Sequence, residues 1–133
     1  MSVVQLVCVF MVVQRCCLEG LNFSFSIISF LGSNRIIVAG DGRYYNDEAI
    51  QIICKVLAGN GVKNIWIPQG GIMSTPAASA AIRTREGGIA DGAILLTASH
   101  NPGGPGEDFG IKYNEAFGQP AGEDFTDRVS RGS

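Results

Sequence analysis

From Asn34 onward the chain alternates short apolar runs, glycine-rich turns and amphipathic stretches, and this order constrains the fold more than any other feature. Ile36-Ile37-Val38-Ala39 is a largely β-branched run that stops at Gly40-Asp41-Gly42, as a buried strand does when it enters a tight turn. Asn46 is placed to cap a helix whose first turn carries Asp47 and Glu48, where carboxylates favour the positive end of the dipole. Ile50, Ile53, Val56 and Leu57 recur at helical spacing and define one apolar face, which Gly59-Asn60-Gly61 brings to an end. A second strand is expected over 64–67. A second helix is expected from Ser74-Thr75-Pro76 through Arg83, with Gly87-Gly88 as its stop. Residues 93–97 are apolar on both faces, the pattern of a central parallel strand. Residues 109–113 read as a further short strand with an antiparallel option, and 123–129 as a clipped amphipathic helix. The order predicts an α/β fold: a layered mixed, mostly parallel sheet flanked by helices.

A chain of 133 residues has room for one core. Its 46% apolar and 17% charged residues place it with globular proteins and leave a surface poor in charge. A formal net charge of -2 supplies no basic face for a run of phosphates, so nucleic acid is not an expected partner. Cys8, Cys16, Cys17 and Cys54 contain no C-x-x-C pair, and the single histidine, His100, is remote from them. That spacing argues against a zinc site and suits a reducing compartment.

Residues 1–33 stand apart from this pattern. They are apolar over 3–13 except for Gln5 and apolar again over much of 21–31, with Arg15 and Glu19 the charges between. Neither run reaches the roughly 18–20 residues of a spanning helix, and no Lys or Arg precedes the first as in a secretory signal. A buried element, a membrane-seeking segment and a stretch foreign to the domain are all open readings, and the last is preferred. The expected organisation is an atypical apolar segment, 1–33, followed by one domain, 34–133.

Ligands of open α/β sheets gather beyond the carboxyl ends of the strands, and Thr97-Ala98-Ser99-His100-Asn101-Pro102-Gly103-Gly104 sits at such an end. It offers a hydroxyl, an imidazole, an amide and glycines that let backbone N–H groups approach an anion. On its own it reads more readily as a solvated Asn-Pro-Gly-Gly turn. A serine hydrolase is disfavoured, because neighbouring side chains diverge in extended backbone and Gly-x-Ser-x-Gly is absent.

The run T-A-S-H-N-P-G-G-P, with G-D-G-R-Y-Y-N at 40–46 before it and D-F-G-I-K-Y-N at 108–114 after it, closely resembles the first domain of phosphoglucomutase, in the phosphohexomutase superfamily. The stretches 48–61 and 71–77 read the same way, so the resemblance covers roughly 36–127. It implies reversible phosphoryl transfer between glucose 1-phosphate and glucose 6-phosphate, in the cytoplasm, through glucose 1,6-bisphosphate. Ser99 matches the phosphorylated serine, which also binds Mg2+ through its phosphate. Lys112 matches the lysine of G-I-K, expected near the reacting hydroxyl as acid, base or clamp, the alternative being a solvated strand lysine. His100 matches the residue beside the phosphoserine, for which orientation or proton transfer is expected. Arg43 is expected to brace its turn rather than contact an anion, and Cys54 to be a core residue.

The departures from the family are equally specific. No D-G-D-G-D-R magnesium loop and no opening G-T-S-G-L-R-K occur, and of the family's four domains only the first is recognisable. A truncated or alternatively started reading frame is the expectation that follows, together with little mutase turnover by the isolated chain and poor solubility. A non-catalytic module that binds sugar phosphate or associates with a partner is the alternative function.

Overall fold

The computed structural model describes residues 34–85, 89–124 and 127. The readings made for 1–33, for Gly87-Gly88 and for most of 123–129 lie outside them, although 123, 124 and 127 are helical. Strands β1 (Arg35–Gly40), β2 (Asn64–Trp66), β3 (Gly92–Leu96) and β4 (Ile111–Glu115) form one sheet in the order β2-β1-β3-β4. β1 is parallel to β2 and β3, and β4 closes the β3 edge antiparallel, with Leu96 opposite Ile111 and Gly92 opposite Glu115. Helix α1 (Asn46–Gly59) links β1 to β2, and α2 (Thr75–Thr84) links β2 to β3.

The apolar runs of β1 and β3 supply both faces of the sheet at once. Ile36, Val38, Ile94 and Leu96 pack with Ile50, Ile53 and Leu57 of α1, whereas Ile37, Ala39, Ala93 and Leu95 pack with Ala78 and Ile82 of α2. The result is a three-layer α/β/α sandwich, because strand side chains alternate and each face needs its own helix. Cys54 is half-buried against the first cluster, and burial pushes its thiol pKa up.

Two helix ends, the close of α1 and the start of α2, follow the turn chemistry. At the end of α1, Gly61 has φ 87°, its N–H donates to Ala58 O and that of Val62 to Leu57 O, both at 3.1 Å. This is the paired arrangement that a left-handed residue after a helix permits. Ser74 caps α2 by accepting from the Ala77 N–H at 3.4 Å, with Pro76 in the first turn, and α2 ends at Thr84, ahead of the glycine pair.

The start of α1 departs from expectation. Asn46 lies inside the helix, the cap position falls to Tyr45 at φ 69°, and no side chain caps the end. The Asn46 side chain is instead buried, its amide filling space left by the missing side chains of Gly40 and Gly71, and neither its oxygen nor its nitrogen has a hydrogen-bond partner among the described residues. Interior packing has claimed the side chain that propensity assigns to the cap.

β4 begins two residues later than expected, since Phe109 and Gly110 lie ahead of it: Gly110 uses its carbonyl to accept from the Thr97 N–H at 2.9 Å, and Phe109 packs against the first cluster. Close packing of β4 on β3 also explains a glycine. A Cβ at Gly92 would sit 2.6 Å from Tyr113 Cζ and 2.7 Å from Asn114 O. Gly92→Ala is therefore expected to destabilise the fold by about 1–3 kcal/mol, read as a lowered urea midpoint of Trp66 fluorescence; an unchanged midpoint would show that β4 yields freely.

Candidate functional site

The chain leaves β1 and passes through α1 to β2 on one side, then returns through α2 to β3 on the other side of β1. The carboxyl ends of β1 and β3 therefore flank the point where strand order reverses, the crevice in which open α/β sheets hold ligands. Gly40-Asp41-Gly42-Arg43 leaves one strand and Thr97-Ala98-Ser99 the other, joined by a 3.1 Å bond from the Asp41 N–H to Leu96 O.

Ser99 is exposed and has φ 57°, one of two non-glycine residues with positive φ among those described. Its Oγ accepts a hydrogen bond from Lys112 Nζ at 2.6 Å. Lys112 reaches it from β4, in register opposite Leu95 of β3, so the antiparallel edge strand brings the cation to the loop that follows β3. The Ser99 N–H donates to Thr97 Oγ1 at 3.1 Å, and the Thr97 hydroxyl donates to Asp41 Oδ2 at 2.8 Å.

Arg43 locks the two loops together. Its Nη2 lies 2.7 Å from Asp41 Oδ2 and its Nε 3.0 Å from Asp41 Oδ1, while Nη1 donates to Asp108 O at 2.5 Å. A Cβ at Gly103 would come within 2.9 Å of Arg43 Cβ, so this glycine lets the serine loop lie against the arginine. Asn101 Nδ2 donates to Asp108 Oδ2 at 2.7 Å and tightens the far side. The Arg43 side chain is only 6% exposed against 33% for Asp41, and its role is the turn brace expected of it.

Burial acts to raise the Asp41 pKa, but the hydrogen bonds from the Arg43 side chain, the Thr97 hydroxyl and the Arg43 N–H, with the guanidinium charge, outweigh it and hold the carboxyl below its ordinary value. The same pairing raises the Arg43 pKa. Because the folded value lies below 3.8, the stability from this carboxylate is complete above that pH and is lost as pH falls through the folded value. Asp41→Asn is expected to cost about 1 kcal/mol or less at neutral pH, given solvent screening, with the difference from wild type shrinking in acid. Urea titrations of both proteins at neutral and acid pH check this, and a gap that widens in acid would contradict it.

Of the residues singled out from sequence, Ser99 and Lys112 are in direct contact, whereas His100 is exposed and makes no hydrogen bond among the described residues. Asp41 and Thr97 escaped sequence reasoning, although both lie inside the quoted motifs; acid and arginine two apart in G-D-G-R was the available signal. A cleft of about 210 Å³ adjoins the turn, lined in part by Gly42, Arg43, Asn46, Glu48 and Ile72. Neither Ser99 nor Lys112 lines it, and both are exposed.

A three-layer α/β/α domain with a lysine-contacted serine at the reversal point is the class that fold and site define. The sequence matches the model of the phosphoglucomutase/phosphomannomutase α/β/α domain I over residues 20–132, and the chain belongs to that family. It is 53% identical over 116 residues to a cytoplasmic phosphoglucomutase of Solanum tuberosum, covering 81% of this chain and 20% of that one. It is 59% identical over 97 residues to that of Pisum sativum, covering 71% and 17%. Among solved structures, the open form of the Paramecium phosphoprotein pp63/parafusin, a phosphoglucomutase, superposes with TM-score 0.75 at 44% identity, over 83% of this chain and 21% of that one. A phosphomannomutase-like protein of Thermus thermophilus gives TM-score 0.69 at 28% identity, over 83% and 24%. The chain thus spans about a fifth of the length of the curated relatives it matches.

Proposed function

We propose that this chain carries the phosphoryl-accepting part of a phosphoglucomutase, in which Ser99 takes up and returns a phosphoryl group as glucose 1-phosphate and glucose 6-phosphate interconvert through glucose 1,6-bisphosphate. The observation that carries the reading is the 2.6 Å contact between Lys112 Nζ and Ser99 Oγ on an exposed loop at the sheet's reversal point. In the accepting step Ser99 Oγ forms a bond to phosphorus, the bond from phosphorus to the sugar oxygen breaks, and the serine proton ends on the sugar oxygen released. Lys112 supplies positive charge at Oγ, where electron density changes most, in keeping with catalysis of phosphoryl transfer by position and charge. His100 is assigned a part in orienting the incoming group from its place beside Ser99.

Mg2+ would supply further charge neutralisation when bound. The described residues do not form a site for it by themselves: no group of three or more His, Cys, Asp or Glu that could hold an ion is found among them. Asp41 is engaged by Arg43 and Thr97, and Asp108 by Asn101, and an oxygen of phosphorylated Ser99 would be one further ligand. Hard cations need several oxygens, so no step is assigned to the ion.

The sugar phosphate is the small-molecule partner under this reading. A cytoplasmic location is inferred from the names of the plant relatives; separately, no helix among the described residues is long and apolar enough to cross a membrane. Under this reading the chain divides into an apolar segment, 1–33, and a domain, 34–133, and the family match begins at residue 20, inside the first segment.

Incubation with glucose 1,6-bisphosphate, followed by intact mass and peptide mapping, tests the function. One phosphate on Ser99, abolished in Ser99→Ala, is expected. Sugar-phosphate binding without any phosphate on Ser99 would favour the non-catalytic module instead.

A further inference from the structure

Phosphoryl acceptance requires a serine oxygen that is open to solvent and close to a cation, yet the backbone conformation of Ser99 is one an L-residue resists. At φ 57° the Ser99 backbone lies in the left-handed region, where Cβ crowds the following carbonyl. Such conformations persist only where surrounding bonds over-determine them. We propose that Asp41 and Thr97 are positioning residues acting in series: Asp41 fixes the direction of the Thr97 hydroxyl, the hydroxyl captures the Ser99 N–H, and that capture holds Ser99 left-handed with Oγ turned toward Lys112. The role rests on the phosphoryl reading of the site, while the geometry can be judged without it.

The chain of bonds has a defined sense. A threonine hydroxyl has one proton to give, and here it goes to Asp41 Oδ2 at 2.8 Å, leaving the oxygen lone pairs free to accept the Ser99 N–H at 3.1 Å. Asp41 can only accept when ionised, and it is held by three N–H donors of Arg43: Nη2 at 2.7 Å, Nε at 3.0 Å and the backbone N–H at 3.2 Å. Arg43 is anchored in turn on the Asp108 carbonyl, two residues before Gly110, which receives the Thr97 N–H. A carboxylate at the end of β1 thereby sets the backbone of a residue beyond β3 without touching it. The Asn101 N–H, donating to Ala98 O at 3.2 Å, closes the turn on the far side of Ser99.

The test uses the full isotope-labelled chain and two readouts. The intraresidue amide-to-Hα Overhauser effect is strong only at positive φ, and it is expected to be strong at Ser99 in wild type. It should weaken to the level of its neighbours in Thr97→Val and Asp41→Ala, with sheet resonances unchanged, and recover in Thr97→Ser, which restores the hydroxyl. In parallel, the initial rate of Ser99 phosphorylation by glucose 1,6-bisphosphate should fall about 100-fold in Thr97→Val, as misplacement of a reacting atom predicts, and recover in Thr97→Ser. A weak effect in wild type overturns the proposal whatever the variants do, which covers the case in which they fail to fold. A strong effect that survives Thr97→Val, or phosphorylation undiminished in a folded Thr97→Val protein, overturns it as well. No phosphate on wild-type Ser99 overturns the function on which the role rests, and the Overhauser series still decides the geometry separately.

Discussion

Lys112→Met is expected to slow Ser99 phosphorylation by glucose 1,6-bisphosphate by about 100- to 1,000-fold, the loss typical when one preorganised donor is removed from a site of developing charge. Lys112 Nζ is 2.6 Å from Ser99 Oγ, and Arg43 is paired with Asp41 whereas Lys112 makes no salt bridge with a described carboxylate, so Arg43 has its charge already matched and Lys112 does not. A phosphoryl group arriving at Oγ brings about 1.5 to 2 negative charges, and Lys112 is the cation bonded to that oxygen. Methionine keeps the length and apolar stem and deletes the charge. Because Lys112 is an exposed residue of an edge strand, stability should change by no more than about 0.5 kcal/mol. The check is a time course of intact mass beside a urea titration. An unchanged rate would reduce Lys112 to the solvated strand lysine that its sequence position also allows.

How far the sequence discloses this molecule depends on whether one interaction decides a feature or several compete. The β-branched run 36–39 and the apolar run 93–97 mark their strands because burial on both faces leaves no other residue types possible. The end of α1 is legible at Gly59-Asn60-Gly61 for a similarly direct reason: Gly61 adopts a backbone angle that costs glycine little. Asn46 misleads because two demands fall on one side chain. Its preference for capping is worth about 1 kcal/mol, and here it yields to a packing site that exists only because residues 40 and 71 have no side chains.

The site shows the same contrast. Ser99 and Lys112 stand out through their motifs, but their contact depends on β4 pairing antiparallel to β3 in a register that places Lys112 beside Leu95. The motifs contain Asp41 and Thr97 but not their contact, since the two are 56 residues apart and meet only because β1 and β3 are neighbours. His100, selected for its chemistry, projects from a turn whose hydrogen bonds are made by the residues around it.

The central strand offers the largest expected change in stability, and its two faces can be tested against each other. Leu96→Ala removes a fully buried side chain from the cluster shared with α1, and Leu95→Ala one from the cluster shared with α2. Each is expected to cost about 2–5 kcal/mol, combining lost transfer free energy with the cavity left behind, against a total of about 5–15 kcal/mol for an ordinary domain. The sole tryptophan reports both from the sheet edge, where Trp66 lies 5.0 Å from the Arg35 guanidinium and 4.2 Å from that of Arg85. The two substitutions differ in their reach toward the site. Leu96 precedes Thr97 and its carbonyl accepts the Asp41 N–H, so the cavity under Leu96→Ala opens beneath both loops, and Ser99 phosphorylation should fall even in the fraction that stays folded. Leu95→Ala lies beneath α2 and should lower stability with a smaller effect on that rate. Equal rate losses per kcal/mol in the two variants would mean that the serine loop is coupled to global stability alone, rather than to the layer packed under it.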